Sequence, residues 1–168
     1  NNIKNYFMNK SEIIIVNNLI NAGKYTLAES KLIELINNNP NDLSFKNSLA
    51  VVYASQKKFK KSIKIFKQII ELSKDFIDPY INLGNIYNDL NQTKDSINYY
   101  NKALLIDPNH LIALYNLANV YDKDKQFQKA SKIYSQLIKK QPNNISFLTG
   151  YSSNLIQIND FKSAKKLL

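Results

Sequence analysis

A chain of 168 residues with 44% hydrophobic and 21% charged side chains has the composition of a folded protein rather than a disordered one. Without cysteine and with a single histidine, it has no disulfide framework, no thiolate nucleophile, no cysteine-held zinc and no multi-histidine metal site. Its charge of +10 comes from 23 lysines, with no arginine, against 13 acids, so where the lysines lie decides whether polyanion binding is a serious reading.

In chain order, 1–8 (NNIKNYFM) is a short polar lead-in, expected to be disordered or the frayed end of a helix. From Asn9 the chain repeats every 34 residues without insertion or deletion, with starts at Asn9, Leu43, Ile77, Leu111 and Ile145. The repeats are 9–42, 43–76, 77–110, 111–144 and a truncated 145–168. Two columns are small: Val16, Ala50, Gly84, Ala118 and Ser152 at position 8, and Ala28, Ser62, Ser96, Ala130 and Ala164 at position 20. The columns beside them are large: Ile15, Leu49, Leu83, Leu117 and Tyr151 at position 7; Leu19, Tyr53, Tyr87, Tyr121 and Leu155 at position 11; Leu32, Phe66, Tyr100, Tyr134 and Leu168 at position 24. Large against small is how facing helices interdigitate.

Positions 4, 7, 8 and 11 fall on one stripe of a first helix, and positions 20, 24 and 27 on one stripe of a second. Gly23, Asn91 and Asn159 at position 15 suit the left-handed turn between the two helices. Lys57 and Lys125 stand there in the other repeats and signal a turn less clearly. Pro40, Pro108 and Pro142 at position 32 end the second helix. The second repeat has Lys74 instead, with Asp78-Pro79 as a compensating start signal.

This helix–turn–helix resembles the tetratricopeptide repeat family from Asn9 to Leu168. The third repeat carries the family pattern most fully in Tyr80, Leu83, Gly84, Tyr87, Ser96, Tyr100, Ala103 and Pro108, whereas the first departs from it with Glu12 at position 4 and Val16 at position 8. The resemblance implies an all-α fold, a right-handed α-solenoid of stacked antiparallel helix pairs whose concave wall is made by the first helices. Stability in such an array is chiefly nearest-neighbour. The fifth repeat stops at position 24, and arrays close with a polar cap, so the chain is expected to be the N-terminal piece of a longer protein.

Few residues offer catalytic chemistry. His110 lies alone in an inter-repeat turn, and Gly23, Gly84 and Gly150 form no phosphate loop. Asp122 and Asp124 lack the glycine and distal glutamate of a calcium loop. The expectation is no enzyme, no cofactor and no metal. No apolar run approaches the ~20 residues of a membrane span, and 1–8 has no signal-peptide core, so a soluble, cytoplasmic chain is expected.

The family resemblance implies that positions 2, 5, 6, 9, 12 and 13 face the concave groove. Among these stand Asn17, Asn47, Ile81, Asn82, Asn85, Asn88, Asp89, Tyr115, Asn116, Asn119 and Asp122. Only Lys10 and Lys123 of the lysines fall in the set, against Asp78, Asp89 and Asp122. The basic charge, densest at Lys57, Lys58, Lys60, Lys61, Lys64 and Lys67, is therefore assigned to second helices and turns, where it reads as a solvated face. Nucleic acid is not the expected partner, and attraction to an anionic surface is expected to be weak and salt-dependent.

The groove offers amides instead. Asn82, Asn85, Asn116 and Asn119 occupy positions 6 and 9 of consecutive repeats, with Ile81 and Tyr115 between them as apolar contacts. Amides can pair with any peptide main chain, and the arrangement resembles the asparagine ladder of the O-linked N-acetylglucosamine transferases. Exchanging all four for alanine is expected to spare the fold and abolish partner capture. Chaperone-binding members of the family hold a terminal carboxylate with lysine and arginine. The corresponding residues are Ile13, Asn17, Ser48, Asp78 and Asn82 in one frame, and Ile81, Asn85, Asn116, Ser146 and Gly150 in the other. Neither frame supplies the cations, so calorimetry with a peptide ending in Glu-Glu-Val-Asp should show no micromolar binding.

The leading functional expectation is a protein-interaction module that binds a partner's peptide segment in its concave groove. The alternative is the substrate-recruiting N-terminal part of a larger enzyme, of glycosyltransferase or sulfotransferase type, with its catalytic domain beyond residue 168. Self-association through an uncapped C-terminal face is a further expectation.

Overall fold

The structure, a computed structural model, describes residues 2–167, with side chains from Ser11 onward. Lys10 as a groove position and Leu168 as the last member of the position-24 column lie outside the described side chains. Ten helices follow one another: α1 Asn2–Asn21, α2 Tyr25–Asn38, α3 Leu43–Ser55, α4 Phe59–Leu72, α5 Asp78–Asp89, α6 Thr93–Ile106, α7 Leu111–Lys123, α8 Phe127–Lys140, α9 Ile145–Gln157 and α10 Phe161–Leu167. Among the described residues there is no strand, and no helix is long and apolar enough to cross a membrane. The lead-in at 1–8 is not a separate piece, because α1 begins at Asn2 and runs unbroken to Asn21.

Every turn within a helix pair is built the same way. Gly23, Lys57, Asn91, Lys125 and Asn159 all adopt positive φ, between 57° and 69°. The next residue's N–H then reaches back to the position-11 carbonyl, as in Lys58 to Tyr53 at 2.8 Å and Gln126 to Tyr121 at 2.8 Å. This double-bonded closure satisfies two of the carbonyls a helix end leaves unpaired. Lys57 and Lys125 therefore make the turn that their side chains signal weakly. The hydrogen bonds and the packing of the two helices outweigh the ~1–2 kcal/mol steric cost of a left-handed lysine.

Starts of the first helices are also locally encoded. Asp42 accepts from the N–H of Ser44, Asn144 from that of Phe147, and His110 Nδ1 from that of Ala113 at 3.3 Å, so the lone histidine is a helix cap. The second repeat lacks the proline before the next helix. There the Tyr80 hydroxyl donates to the Lys74 carbonyl at 3.1 Å and ties the connection down. Glu12, the departure at position 4, pairs with Lys31 of α2 at 3.4 Å.

By its contacts the chain divides into two compact halves, 1–82 and 83–168. In the N-terminal half Val16, Ala28, Leu32, Leu35, Phe45, Leu49 and Val52 make one core. In the C-terminal half a core forms from Leu114, Ala118, Ala130, Tyr134, Leu137 and Phe147. Each large side chain so buried contributes about 1.5–3 kcal/mol. The small columns sit at the closest helix approaches: Ser62 donates to the Ala50 carbonyl at 2.7 Å and Ser96 to the Gly84 carbonyl at 2.8 Å. A buried hydroxyl is thereby paired without needing a second side chain.

Candidate functional site

In the N-terminal half the first helices frame an open recess of about 390 Å³, within the ~300–1,000 Å³ of ordinary ligand pockets. Ile13, Asn17 and Ile20 of α1, Ser44, Asn47, Ser48 and Val51 of α3, and Phe76 and Asp78 at the start of α5 line it. All but Phe76 stand at positions 2, 5, 6, 9 or 12, those the family resemblance assigns to the groove. Asn17 and Asn47 are thus brought together across two helices. Asn17 is exposed, whereas the side-chain oxygen of Asn47 is buried without a hydrogen-bond partner in the protein. Asn82 is half-buried, and Ile81, at 6% exposed, has little surface left for a ligand.

In the C-terminal half the amides are largely engaged with the protein itself. The Tyr100 hydroxyl donates to Asn85 Oδ1 at 2.5 Å, and Asn116 Nδ2 donates to the same oxygen at 3.0 Å. Tyr134 makes the equivalent bond to Asn119 Oδ1 at 2.6 Å. Both tyrosines are almost wholly buried, and burial pushes their hydroxyls well above the ordinary phenol range; for Tyr134 the Asp122 carboxylate adds to the effect. Asn85 and Asn119 therefore satisfy buried hydroxyls. The expectation that all four asparagines can be exchanged without loss of stability gives way, because alanine at 85 would orphan the buried Tyr100 donor and alanine at 119 would remove an acceptor of Tyr134.

The remaining expected site residues of this half are similarly placed. Lys123 Nζ reaches Asn88 Oδ1 at 3.3 Å and Asn91 Oδ1 at 2.9 Å, so the groove's one described lysine caps the end of α5 and occupies Asn88. Tyr115 is half-buried, packed at 5.3 Å between ring centres on Phe147 and edge-on to Tyr134. Asp89 is exposed. Asp122 is held by α9: Asn154, fully buried, donates through Nδ2 to Asp122 Oδ1 at 2.6 Å and to the Phe127 carbonyl at 2.9 Å.

Sequence reasoning missed two of these partnerships, although columns read in pairs carry a trace of them. Positions 9 and 24 are Asn85 with Tyr100 and Asn119 with Tyr134, but Val51 with Phe66. A phenol goes with an amide, and an unsubstituted ring with an aliphatic. Asn17 has Leu32 at position 24 of its repeat and is the position-9 asparagine left without a tyrosine.

Asp122 gives a test by pH. Burial pushes its carboxyl above the ordinary value of 3.8, against the opposing hydrogen bonds of Asn154 and Tyr134. The folded state therefore favours the protonated form. That stabilising contribution is fully present below 3.8 and is lost as pH rises through the raised value. Asp122→Asn, which imitates the neutral acid, should melt higher than the parent at pH 7, with the advantage vanishing as both are brought below 3.8. A gain that persisted in acid would point to packing rather than ionisation.

The repeat geometry has counterparts in sequence. Family models described as tetratricopeptide repeat match residues 15–75, 77–110 and 99–130. The chain belongs to the tetratricopeptide repeat family. Among solved structures, MamA from Desulfovibrio magneticus aligns over 94% of this chain and 89% of its own, at 18% identity and a TM-score of 0.75. PilF from Pseudomonas aeruginosa aligns over 94% of this chain and 72% of its own, at 14% identity and 0.83. A tetratricopeptide repeat protein from Parabacteroides merdae aligns over 94% and 63%, at 16% and 0.74. At these identities the likeness is one of fold. No curated protein matches the sequence. The tetratricopeptide repeats make this chain an all-α solenoid of the protein-interaction scaffold class.

Proposed function

We propose that this tetratricopeptide repeat chain holds an extended segment of a partner protein along the groove side of its first helices, anchored in the recess between α1 and α3. The observation that carries the reading is the recess itself: eight of its nine lining residues stand at groove positions. Its walls combine apolar surface, which supplies affinity without directional demands, with the amides of Asn17 and Asn47, which can bond a main chain of any sequence. In the C-terminal half Asn85 and Asn119 serve buried tyrosines and have less capacity left for a ligand.

Peptide display against the full chain tests this. Selected peptides should lose binding to Val51→Asp, which puts a charge on the recess wall, and keep it with Lys64→Glu on α4. Circular dichroism should show both variants folded. Selected peptides that bind Val51→Asp as well as the parent would remove the recess from the reading.

A further inference from the structure

Resting on the groove reading above, we propose that the recess of the N-terminal half selects a segment carrying an apolar side chain next to a lysine or arginine. The first part follows from the walls. Ile13 and Ile20 from α1, Val51 from α3 and Phe76 ahead of α5 give apolar surface on several sides of about 390 Å³, room for one large aliphatic or aromatic side chain with part of its neighbours.

The second part follows from charge. Asp78 is the sole charged residue among the described residues lining the recess, and it is exposed. Among the described residues no ion pair engages it. In a chain with 23 lysines and 13 acids, an acid that no ion pair engages among the described residues runs against the general charge. A partner's cation reaching the recess meets this carboxylate with no cation among the described lining residues. A partner's carboxylate meets its repulsion. At the ~8 Å screening length of physiological salt, the positive charge of distant lysines is damped more than a direct contact with this carboxylate.

Asn47 points the same way. Its buried amide oxygen is an acceptor without a partner, and the asparagine χ2 torsion is soft. An N–H donor seated in the recess can recruit that oxygen and relieve the cost of leaving it unpaired. Asp78 and the Asn47 oxygen thus call for donors, one charged and one neutral, beside an apolar anchor.

The test uses the full chain, labelled with nitrogen-15, and three capped hexapeptides of sequence Gly-Ser-Leu-Lys-Ser-Gly, Gly-Ser-Leu-Glu-Ser-Gly and Gly-Ser-Gly-Lys-Ser-Gly. The leucine–lysine peptide should shift the amide signals of Ile13 and Val51. The other two should bind at least about threefold more weakly, the factor expected of a partly exposed charge pair or of a lost apolar contact. Asp78→Asn should erase the preference for lysine over glutamate, and Val51→Lys should abolish binding. Equal or tighter binding of the leucine–glutamate peptide at Ile13 and Val51 overturns the charge selectivity and leaves the groove reading standing. No response at those residues to any peptide at millimolar concentration overturns both. If Asp78→Asn fails to fold, the comparison of peptides on the parent chain still decides.

Discussion

Gly84→Leu should destabilise the chain by at least the ~1–3 kcal/mol typical of overfilling a packed core, read as a fall in melting temperature of ~2–4 °C per kcal/mol for a protein of this size. A Cβ at Gly84 would stand 2.6 Å from Tyr100 Cε1 and 2.8 Å from Cδ1 and Cζ. The ring cannot simply swing away, because Tyr100 is 1% exposed and its hydroxyl is bonded to Asn85. Gly84→Ala should cost less. The fourth repeat already places Ala118 in one core with Tyr134, so a helix pair of this kind can hold a Cβ beside such a ring once the ring has moved. Tyr100→Leu, which imitates the position-24 leucine of the first repeat, should recover part of the Gly84→Leu loss in a double-mutant cycle. Independent, additive effects would show that the two side chains do not compete for the same space.

Asn154→Ala should be at least as damaging, at about 2–4 kcal/mol. It deletes one amide that serves acceptors on two other elements, Asp122 at the end of α7 and the carbonyl of Phe127 at the start of α8. Leaving each buried acceptor unpaired costs ~1–3 kcal/mol. Val52, Ile86 and Val120 hold the same repeat position in other repeats, which makes Asn154→Val a tempting exchange, yet it should fail for the same reason. Combining Asn154→Val with Asp122→Ala should recover much of the loss, since an apolar pair then replaces a polar one. Asn154 Oδ1 is itself buried without a partner, so the parent carries a cost here that the double variant removes. Thermal melts of the four proteins measure the coupling. A single variant as stable as the parent would mean that the two bonds contribute nothing net.

Both effects come from side chains whose importance depends on residues far along the chain, and this divides what was legible from what was not. Positions 8 and 20 declared themselves as close approaches through residue size alone, and the structure buries Val16, Ala28, Ala50, Ser62, Ser96, Ala118 and Ala130 completely. The turns at Gly23, Asn91 and Asn159 were legible from backbone preference. Those at Lys57 and Lys125 were legible only from their place in the repeat, since lysine has no taste for positive φ. The 1–8 stretch left two readings open because a short polar sequence does not reveal the helix it extends.

The groove divides along the same line. Position in the repeat picked out Asn17 and Asn47, and both line the recess. Whether a groove amide is free could not be read from the amide. Asn85 is engaged by Tyr100, 15 residues away, and by Asn116, 31 residues away. Asn17 is identical in type and position, and free of such a partner because leucine replaces tyrosine at position 24.

Helix, turn and repeat were determined by the sequence itself, because periodicity, residue size and backbone preference act within a few residues and recur every 34. Which polar groups remain to meet a partner, and where the walls part to form a recess, was decided only in the tertiary structure. Hydrogen-bond capacity is finite, and the neighbours that consume it arrive from other helices.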